Sequence, residues 1–188
     1  MHNSSVDFVV KSIEKSPLVN LNGLFYQEYN EFFDNFWLDK LNFNFNQIKT
    51  TKLEKQQEDH RFRVEYSEKI SKELNILFKH ALIKKTLEEK FKLSLKPGVA
   101  DIWFDFSGYQ LTPHVDDASI KLALQIYIGN QEQPGTTFYD STEAHDPIHR
   151  VLYKENRGYA LLNNNKSWHS LDSKVSKGFR KSVYVRYS

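Results

Sequence analysis

The chain has 188 residues, of which 39% are hydrophobic and 27% are charged, and this is enough apolar material for a globular domain with a core. The formal net charge of +2 excludes the strong basic field that many nucleic-acid-binding proteins carry. The absence of cysteine excludes disulfides, cysteine-ligated zinc, iron–sulfur clusters and thiol nucleophiles. We see no signal-peptide pattern and no apolar run near the ~20 residues of a membrane helix, so we expect a cytoplasmic protein without a membrane partner.

The first half of the chain, residues 1–96, is expected to be rich in helices, with one or two strands. An aromatic stripe at helical spacing predicts a helix that faces the core, and it consists of Phe25, Tyr29, Phe32, Phe33 and Phe36. Alternating apolar and polar residues predict short strands over 42–46 and 62–66. An amphipathic pattern over 70–82 predicts a second helix.

The second half, residues 97–188, is expected to consist of strands and turns. Strands are predicted at Val99–Phe106, Ile120–Ile128, Thr136–Tyr139, Ile148–Tyr153, Gly158–Leu162 and Arg180–Tyr187. Many short strands at regular spacing are typical of a sandwich or barrel, and a double-sheet jelly roll is well suited to hold a ligand cavity between its sheets. We therefore predict one α+β domain over 1–188, with a double-stranded β-helix (jelly roll) core supported by N-terminal helices.

The strongest chemical signal is a pair of residues, His114 and Asp116, in the segment TPHVDD. If this segment is extended, residues two apart leave the same face, which brings an imidazole nitrogen and a carboxylate oxygen together. A second histidine, His169, follows in another segment that looks extended. Two imidazoles and one carboxylate are the facial triad of non-heme iron(II) oxygenases, which leaves metal positions open for other ligands.

An arginine downstream of the second histidine strengthens this interpretation. From His169 the chain passes through a valine and a glycine to Arg180, which opens the last predicted strand. The guanidinium group can bind a carboxylate through two hydrogen bonds, so an arginine one strand beyond the metal could hold the far end of a dicarboxylate. The His-x-Asp pair is a weak signal alone, and its specificity comes from the order and spacing of the whole set.

These motifs resemble the 2-oxoglutarate/Fe(II) dioxygenase superfamily, especially its prolyl-4-hydroxylase-like branch. The resemblance covers residues 97–188, and its motifs are His114-Val115-Asp116, Pro134-Gly135, the segment GYALLN that begins at Gly158, and the run from His169 through Val175 and Gly178 to Arg180-Lys181-Ser182.

The resemblance implies that His114, Asp116 and His169 ligate Fe(II) and that Arg180 binds the distal carboxylate of 2-oxoglutarate. It further implies that Ser182 and Tyr127 assist Arg180 as co-substrate-binding residues. The expected reaction is hydroxylation of a peptidyl (prolyl-like) side chain or of a small molecule, with release of succinate and CO2 and with ascorbate as a candidate reductant.

Several alternatives stay open at this point. Arg180, Ser182 and Arg186 faintly resemble the Arg-x-Asn-x-x-x-Arg pattern of nucleic-acid demethylases in the same superfamily, with serine in place of asparagine. Two alternatives are not oxygenases. One is a cupin-like metal-binding module without oxygenase activity, and the other is a degenerate jelly roll that only binds protein. His145 and His149 could bind a second metal or line the substrate entrance, although loop histidines without such a role are the simpler expectation.

Overall fold

The computed structural model describes residues 3–43, 45, 53–56, 60–140 and 146–188. The helices are α1 (Asn3–Lys15), α2 (Asn35–Leu41), α3 (Lys69–Phe78) and α4 (Ala81–Phe91). The strands are β1 (Leu18–Leu21), β2 (Leu24–Tyr29), β3 (Leu53–Gln56), β4 (Arg61–Val64), β5 (Val99–Phe106), β6 (Leu122–Ile128), β7 (Thr136–Tyr139), β8 (Pro147–Val151), β9 (Gly158–Leu162), β10 (His169–Leu171) and β11 (Phe179–Tyr187). None of the described helices is long and apolar enough to cross a membrane.

The strands form a large sheet and a small sheet. The large sheet has eight strands in the order β1-β2-β9-β6-β11-β5-β4-β3, and the small sheet has three in the order β10-β7-β8. Neighbouring strands in both sheets run antiparallel. An isolated antiparallel bridge from His114 to His169 adds one further position to the edge of the small sheet. This arrangement is the predicted jelly roll with supporting helices, so the α+β fold class is confirmed.

Alternation along β11 separates the side of the large sheet that packs on the helices from the side that faces a cavity. On β11, Val183 and Val185 are fully buried in the main hydrophobic core together with residues of all four helices. On the same strand, Arg180 and Tyr184 point to the opposite face, where they line a cavity. Because successive side chains on a strand point to opposite faces, the helices can cover one face while the other is left for a polar site.

The predicted aromatic helix over 25–36 is wrong. Phe25 and Tyr29 lie in β2, and the helix that follows, α2, begins only at Asn35. The cause is a tight turn at Asn22 and Gly23, which have φ values of 52° and 95° and return the chain from β1 into β2 as a hairpin. Asn-Gly is a favoured hairpin turn because both residues accept positive φ, so local turn chemistry overrides the helical spacing.

Other differences from prediction also lie in the first half. Four strands, β1 to β4, are found where one or two were expected. The predicted helix over 70–82 is interrupted at His80, so it forms two helices, α3 and α4. His80 has an extended backbone, and its side chain caps the start of α4 by accepting a hydrogen bond from the Leu82 backbone N–H. In the predicted strand over 42–46, Asn42, Phe43 and Phe45 lie outside the strands, and Asn44 and Asn46 lie outside the described residues. The strand over 62–66 is found as β4, and the strands predicted after residue 97 are all present with small shifts at their ends.

Candidate metal centre

The two histidines of the predicted triad lie side by side on neighbouring extended segments. His114 and His169 exchange both backbone hydrogen bonds, with N–O distances of 3.0 and 2.9 Å. Their ring centroids are 4.3 Å apart. Asp116 follows two residues after His114, and one ligand atom from each of the three side chains lies within 4.8 Å of the others. In the part of the chain that the structure describes, this is the group of histidines and carboxylates that could hold a metal ion.

Each histidine ring is oriented by the carbonyl group two residues before it. His114 Nδ1 lies 2.9 Å from the Thr112 carbonyl oxygen, and His169 Nδ1 lies 2.9 Å from that of Ser167. A carbonyl oxygen only accepts hydrogen bonds, so Nδ1 must carry the proton in the neutral ring. Nε2 of both rings therefore keeps its lone pair for a metal, which is how a second hydrogen bond commonly orients metal-binding histidines.

The two oxygens of the Asp116 carboxylate have different neighbours. Its Oδ1 lies 3.8 Å from His114 Nε2 and 4.0 Å from His169 Nε2. Its Oδ2 accepts a hydrogen bond from the Tyr184 hydroxyl at 3.2 Å. Burial, reinforced by the Asp116 charge, raises the pKa of Tyr184 well above its usual value, so this phenol stays protonated and donates. Oδ1 is thus the oxygen left for a metal.

The cluster is open on one side and buried on the other. The side chain of His114 is 31% exposed, whereas that of His169 is 7% exposed. Burial lowers the pKa of His169, and the nearby Asp116 only partly opposes this effect. His169 therefore favours the neutral form at neutral pH, which is the form that binds metal.

Arg180 is the most buried cation of the site. Its residue exposure is 1%, and its NH1 group donates to Asp105 Oδ2 at 2.7 Å. Burial alone would lower the pKa of Arg180, but Asp105 and nearby tyrosines raise it above its usual value, so the group stays charged. Among the described residues, Arg180 Nε and NH2 have no hydrogen-bond partner. These two nitrogens form one edge of the guanidinium group, which is the edge that a carboxylate binds through two hydrogen bonds.

A single cavity joins the histidine cluster to this arginine. It has a volume of about 170 Å³ and is lined by His114, Asp116, His169 and Arg180, among other residues. Sequence reasoning missed several further polar residues of the lining, among them Arg61, Gln125, Thr136, Tyr159 and Ser170. Tyr159 lies in the GYALLN segment and Thr136 directly follows Pro134-Gly135, so both adjoin quoted motifs, but neither residue carried a signal of its own.

The two residues predicted to assist Arg180 lie behind the cavity wall. Tyr127 packs its ring 5.0 Å from the Arg180 guanidinium carbon and donates its hydroxyl hydrogen to Thr136 Oγ1 at 2.7 Å. Ser182 Oγ accepts a hydrogen bond from Gln125 Nε2 at 3.1 Å. Neither side chain lines the cavity itself, but each is hydrogen-bonded to a residue that does.

The remaining predicted candidates lie elsewhere. Arg186 donates to Asp101 Oδ2 at 2.6 Å and is not part of the cavity lining. His149 lies in β8, not in a loop as expected, and its Nε2 is 2.9 Å from a carboxylate oxygen of Glu28. His145 lies outside the described residues.

Comparisons with known proteins connect this geometry to a fold. No protein-family model matches the sequence, and no curated protein matches it either. A prolyl-4-hydroxylase from Pseudomonas putida superposes with a TM-score of 0.63 at 11% identity, covering 97% of each chain. A prolyl hydroxylase from Trichoplax adhaerens, in complex with a peptide fragment of the hypoxia inducible factor, gives a TM-score of 0.64 at 10% identity, covering 97% of this chain and 88% of the other.

A third structure was solved with bound ligands. HygX from Streptomyces hygroscopicus, with nickel, 2-oxoglutarate and hygromycin B bound, gives a TM-score of 0.59 at 8% identity, covering 87% of this chain and 82% of the other. These superpositions establish the fold of this chain. At identities this low, the substrate and the reaction of a neighbour cannot be transferred to it. The chain described here has the jelly-roll fold of the 2-oxoglutarate/Fe(II) oxygenases, prolyl-4-hydroxylases among them.

Proposed function

We propose that this chain is a 2-oxoglutarate- and Fe(II)-dependent dioxygenase that hydroxylates a peptidyl (prolyl-like) or small-molecule substrate, with release of succinate and CO2. One observation carries the proposal: the same cavity contains the free ligand atoms of two histidines and an aspartate, and the unpaired edge of a buried arginine. A metal site alone would need no such arginine, and an arginine alone would need no triad.

The donor set fits Fe(II). Neutral imidazole and carboxylate suit this ion, and three protein ligands leave other metal positions open. His114 and His169 would bind through Nε2, because Nδ1 of each ring is engaged with a carbonyl oxygen. Asp116 would bind through Oδ1, because Oδ2 accepts from Tyr184. When bound, iron and 2-oxoglutarate together would supply the activation of dioxygen that the oxidation of a C–H bond requires.

The arginine end fits the distal carboxylate of 2-oxoglutarate. Leaving donors of a buried cation unpaired is costly, so the Nε and NH2 edge of Arg180 calls for an anion. In addition, Thr136 would donate its hydroxyl hydrogen to the same carboxylate, because its Oγ1 accepts from Tyr127 and the residue lines the cavity. In this proposal Tyr127 positions Thr136 and packs against Arg180, while Ser182 supports Gln125 from behind the wall.

The rest of the chain supports this site as one unit. We propose a single oxygenase domain over 1–188, with residues 1–96 as support and 97–188 as the catalytic core. Helices α1 to α4 share one hydrophobic core with the central strands of the large sheet, and β1 and β2 extend that sheet next to β9. The support therefore contributes strands as well as helices.

The alternatives receive less support from the site. A cupin-like module has no need of a buried arginine with an unpaired edge, so Arg180 favours the oxygenase. Arg186 pairs with Asp101 outside the cavity, so the demethylase-like pattern of two arginines lacks its second member at the site.

The proposal is tested by binding and turnover together. Under anaerobic conditions, addition of 2-oxoglutarate to the Fe(II)-loaded protein should produce a metal-to-ligand charge-transfer absorbance. Under air, a panel of proline-containing peptides and small molecules should include a substrate that stimulates succinate formation. A protein that binds Fe(II) but shows no absorbance change when 2-oxoglutarate is added would contradict the proposal.

A further inference from the structure

The NH1 group of Arg180, next to its unpaired edge, contacts a buried aspartate that a second arginine also contacts. The side chain of Asp105 is completely buried. Its Oδ2 accepts from Arg180 NH1 at 2.7 Å, and its Oδ1 lies 3.1 Å from Arg61 Nε. Among the described residues, these contacts form a group of two guanidinium cations and one carboxylate, which we call the Arg61–Asp105–Arg180 group.

The strand register explains why these residues meet. Asp105 on β5 lies directly opposite Arg61 on β4 and directly opposite Arg180 on β11. Residues paired across neighbouring strands point to the same face, so the three side chains share the cavity side of the large sheet. Sequence spacing alone connects none of them, because they come from three distant segments.

Arg61 is held in place and reaches the same cavity. Its guanidinium carbon lies 4.2 Å from the centroid of the Trp103 ring and 5.0 Å from that of Tyr109. Its NH1 group donates to the Tyr109 hydroxyl at 2.5 Å. The side chain is 17% exposed, and both Arg61 and Arg180 line the cavity. The charge of Arg61 is therefore close to the place where a carboxylate bound to Arg180 would lie.

The charges of the group determine what it can bind. Two guanidinium cations and one carboxylate carry a net charge of +1, which the distal carboxylate of 2-oxoglutarate would neutralise. Without Arg61, Asp105 would neutralise Arg180 by itself, and an incoming carboxylate would leave an uncompensated negative charge in a buried place, which is costly. We propose that Arg61 is a positioning residue for co-substrate binding: it offsets the charge of Asp105 and so keeps Arg180 available for 2-oxoglutarate. This inference rests on the proposed function.

A competing role for Arg61 is direct binding of an anionic substrate. The charge balance of the complete site argues against it. The two arginines and a divalent metal carry four positive charges, and Asp105, Asp116 and the 2-oxoglutarate dianion carry four negative ones. With neutral histidines the loaded site is balanced, so it requires no anionic group from the substrate.

The test measures 2-oxoglutarate affinity and needs no turnover. Isothermal titration calorimetry on the Mn(II)-loaded protein without oxygen gives the Kd for wild type and variants. Arg61→Met keeps most of the aliphatic stem and removes the charge, and it should weaken binding at least about tenfold. The double variant Arg61→Met/Asp105→Asn restores the net charge of +1 and should recover most of the lost affinity.

Arg63→Met is the matched control. Arg63 lies two residues further along β4, forms an ion pair with Asp101 at 3.6 Å, and does not line the cavity. Its removal should leave the Kd for 2-oxoglutarate unchanged. Asp105→Asn alone should bind 2-oxoglutarate at least as tightly as wild type, because it removes the negative charge that Arg61 is proposed to offset. This variant tests the proposed role of Arg61 even if Arg61→Met does not fold.

The outcomes separate the inference from the proposed function. If wild type binds 2-oxoglutarate but Arg61→Met binds it equally well, or the double variant stays as weak as the single one, the role of Arg61 is refuted while the proposed function stands. Weaker binding by Asp105→Asn alone refutes it as well. If wild type binds no 2-oxoglutarate, the proposed function itself fails and the inference fails with it.

Discussion

The two ends of the cavity keep their reactive atoms free in different ways. At the metal end the partners are neutral: the carbonyl groups of Thr112 and Ser167 occupy Nδ1 of the histidines, and the Tyr184 hydroxyl occupies one oxygen of the aspartate. At the arginine end the partner is charged, because Asp105 occupies NH1 of the buried arginine. In both places the pairing of one atom leaves a defined neighbouring atom without a partner.

The difference between the ends reflects what each would bind. A metal ion brings its own charge and requires neutral imidazoles, so uncharged partners suffice there. A carboxylate brings a negative charge into a buried place and requires a cation that is already present. The exposures agree, since the side chain of His114 is 31% exposed and that of Arg180 is 1% exposed. In the proposed function, the open end would admit substrate and dioxygen, and the closed end would hold the distal carboxylate of 2-oxoglutarate.

The largest effect is expected from breaking the metal end. His169→Ala removes one of three ligands, so Fe(II)-dependent succinate formation should fall to background while the circular dichroism spectrum stays close to that of wild type. The matched control is His149→Ala, which removes a partly buried histidine that pairs with Glu28 away from the cavity and should preserve turnover. Full activity in His169→Ala would show that His169 is not a ligand.

Breaking the arginine end should affect binding of the co-substrate and spare the metal. Truncating one partner of a buried charge pair costs on the order of 2–5 kcal/mol, so Arg180→Ala should weaken 2-oxoglutarate binding more than tenfold, given about 1.4 kcal/mol per factor of ten. Arg186→Ala should have a smaller effect, because this side chain is 35% exposed and pairs with Asp101 outside the cavity. An anaerobic titration of the charge-transfer absorbance compares the two variants. A larger loss in Arg186→Ala would favour the demethylase-like interpretation.

A milder change sharpens the distinction between the two ends. Tyr184→Phe removes the hydrogen bond to Asp116 Oδ2 without removing a ligand. Loss of a partner that orients a metal ligand typically weakens metal binding by about 10–100-fold, and we expect the lower part of that range. Chelator competition with Mn(II) measures the effect, with Tyr66→Phe as the control because its hydroxyl contacts Arg186 and not the triad. Unchanged metal affinity in Tyr184→Phe would mean that the carboxylate needs no such orientation.

The smallest effect is expected from pH on the metal-free protein. Burial lowers the pKa of His169 below 6.5, its usual value, so the unfolded chain binds a proton at a pH where the folded chain does not. This contribution to stability is therefore present above about pH 6.5 and is lost progressively as the pH falls from there toward the folded-state pKa. Thermal unfolding between pH 7.5 and 5.5 should show a shallower decline in His169→Ala than in wild type. Equal slopes would contradict the expected contribution of His169.

The second half of the chain was readable from its sequence for a physical reason. Strands such as Thr136–Tyr139 and Gly158–Leu162 are short, consist mostly of threonine, aromatic and aliphatic residues, and are bounded by glycine or other turn residues, so pattern and boundary agree. In the first half, the spacing of Phe25 and Tyr29 fits a helix as well as a strand. The Asn22-Gly23 turn decides between them, because positive φ at both residues reverses the chain into a hairpin and places Phe25 and Tyr29 in a strand.

The sequence by itself determined that His114 and Asp116 could form part of a metal centre, because their two-residue spacing is a local property of extended chain. Only the tertiary structure decided what surrounds that centre. The hydrogen bond from Tyr184 to Asp116 and the pairing of Asp105 with two arginines join strands that are distant in sequence. Cross-strand register determines such contacts, and register follows from how two sheets and four helices pack together, which no local pattern records.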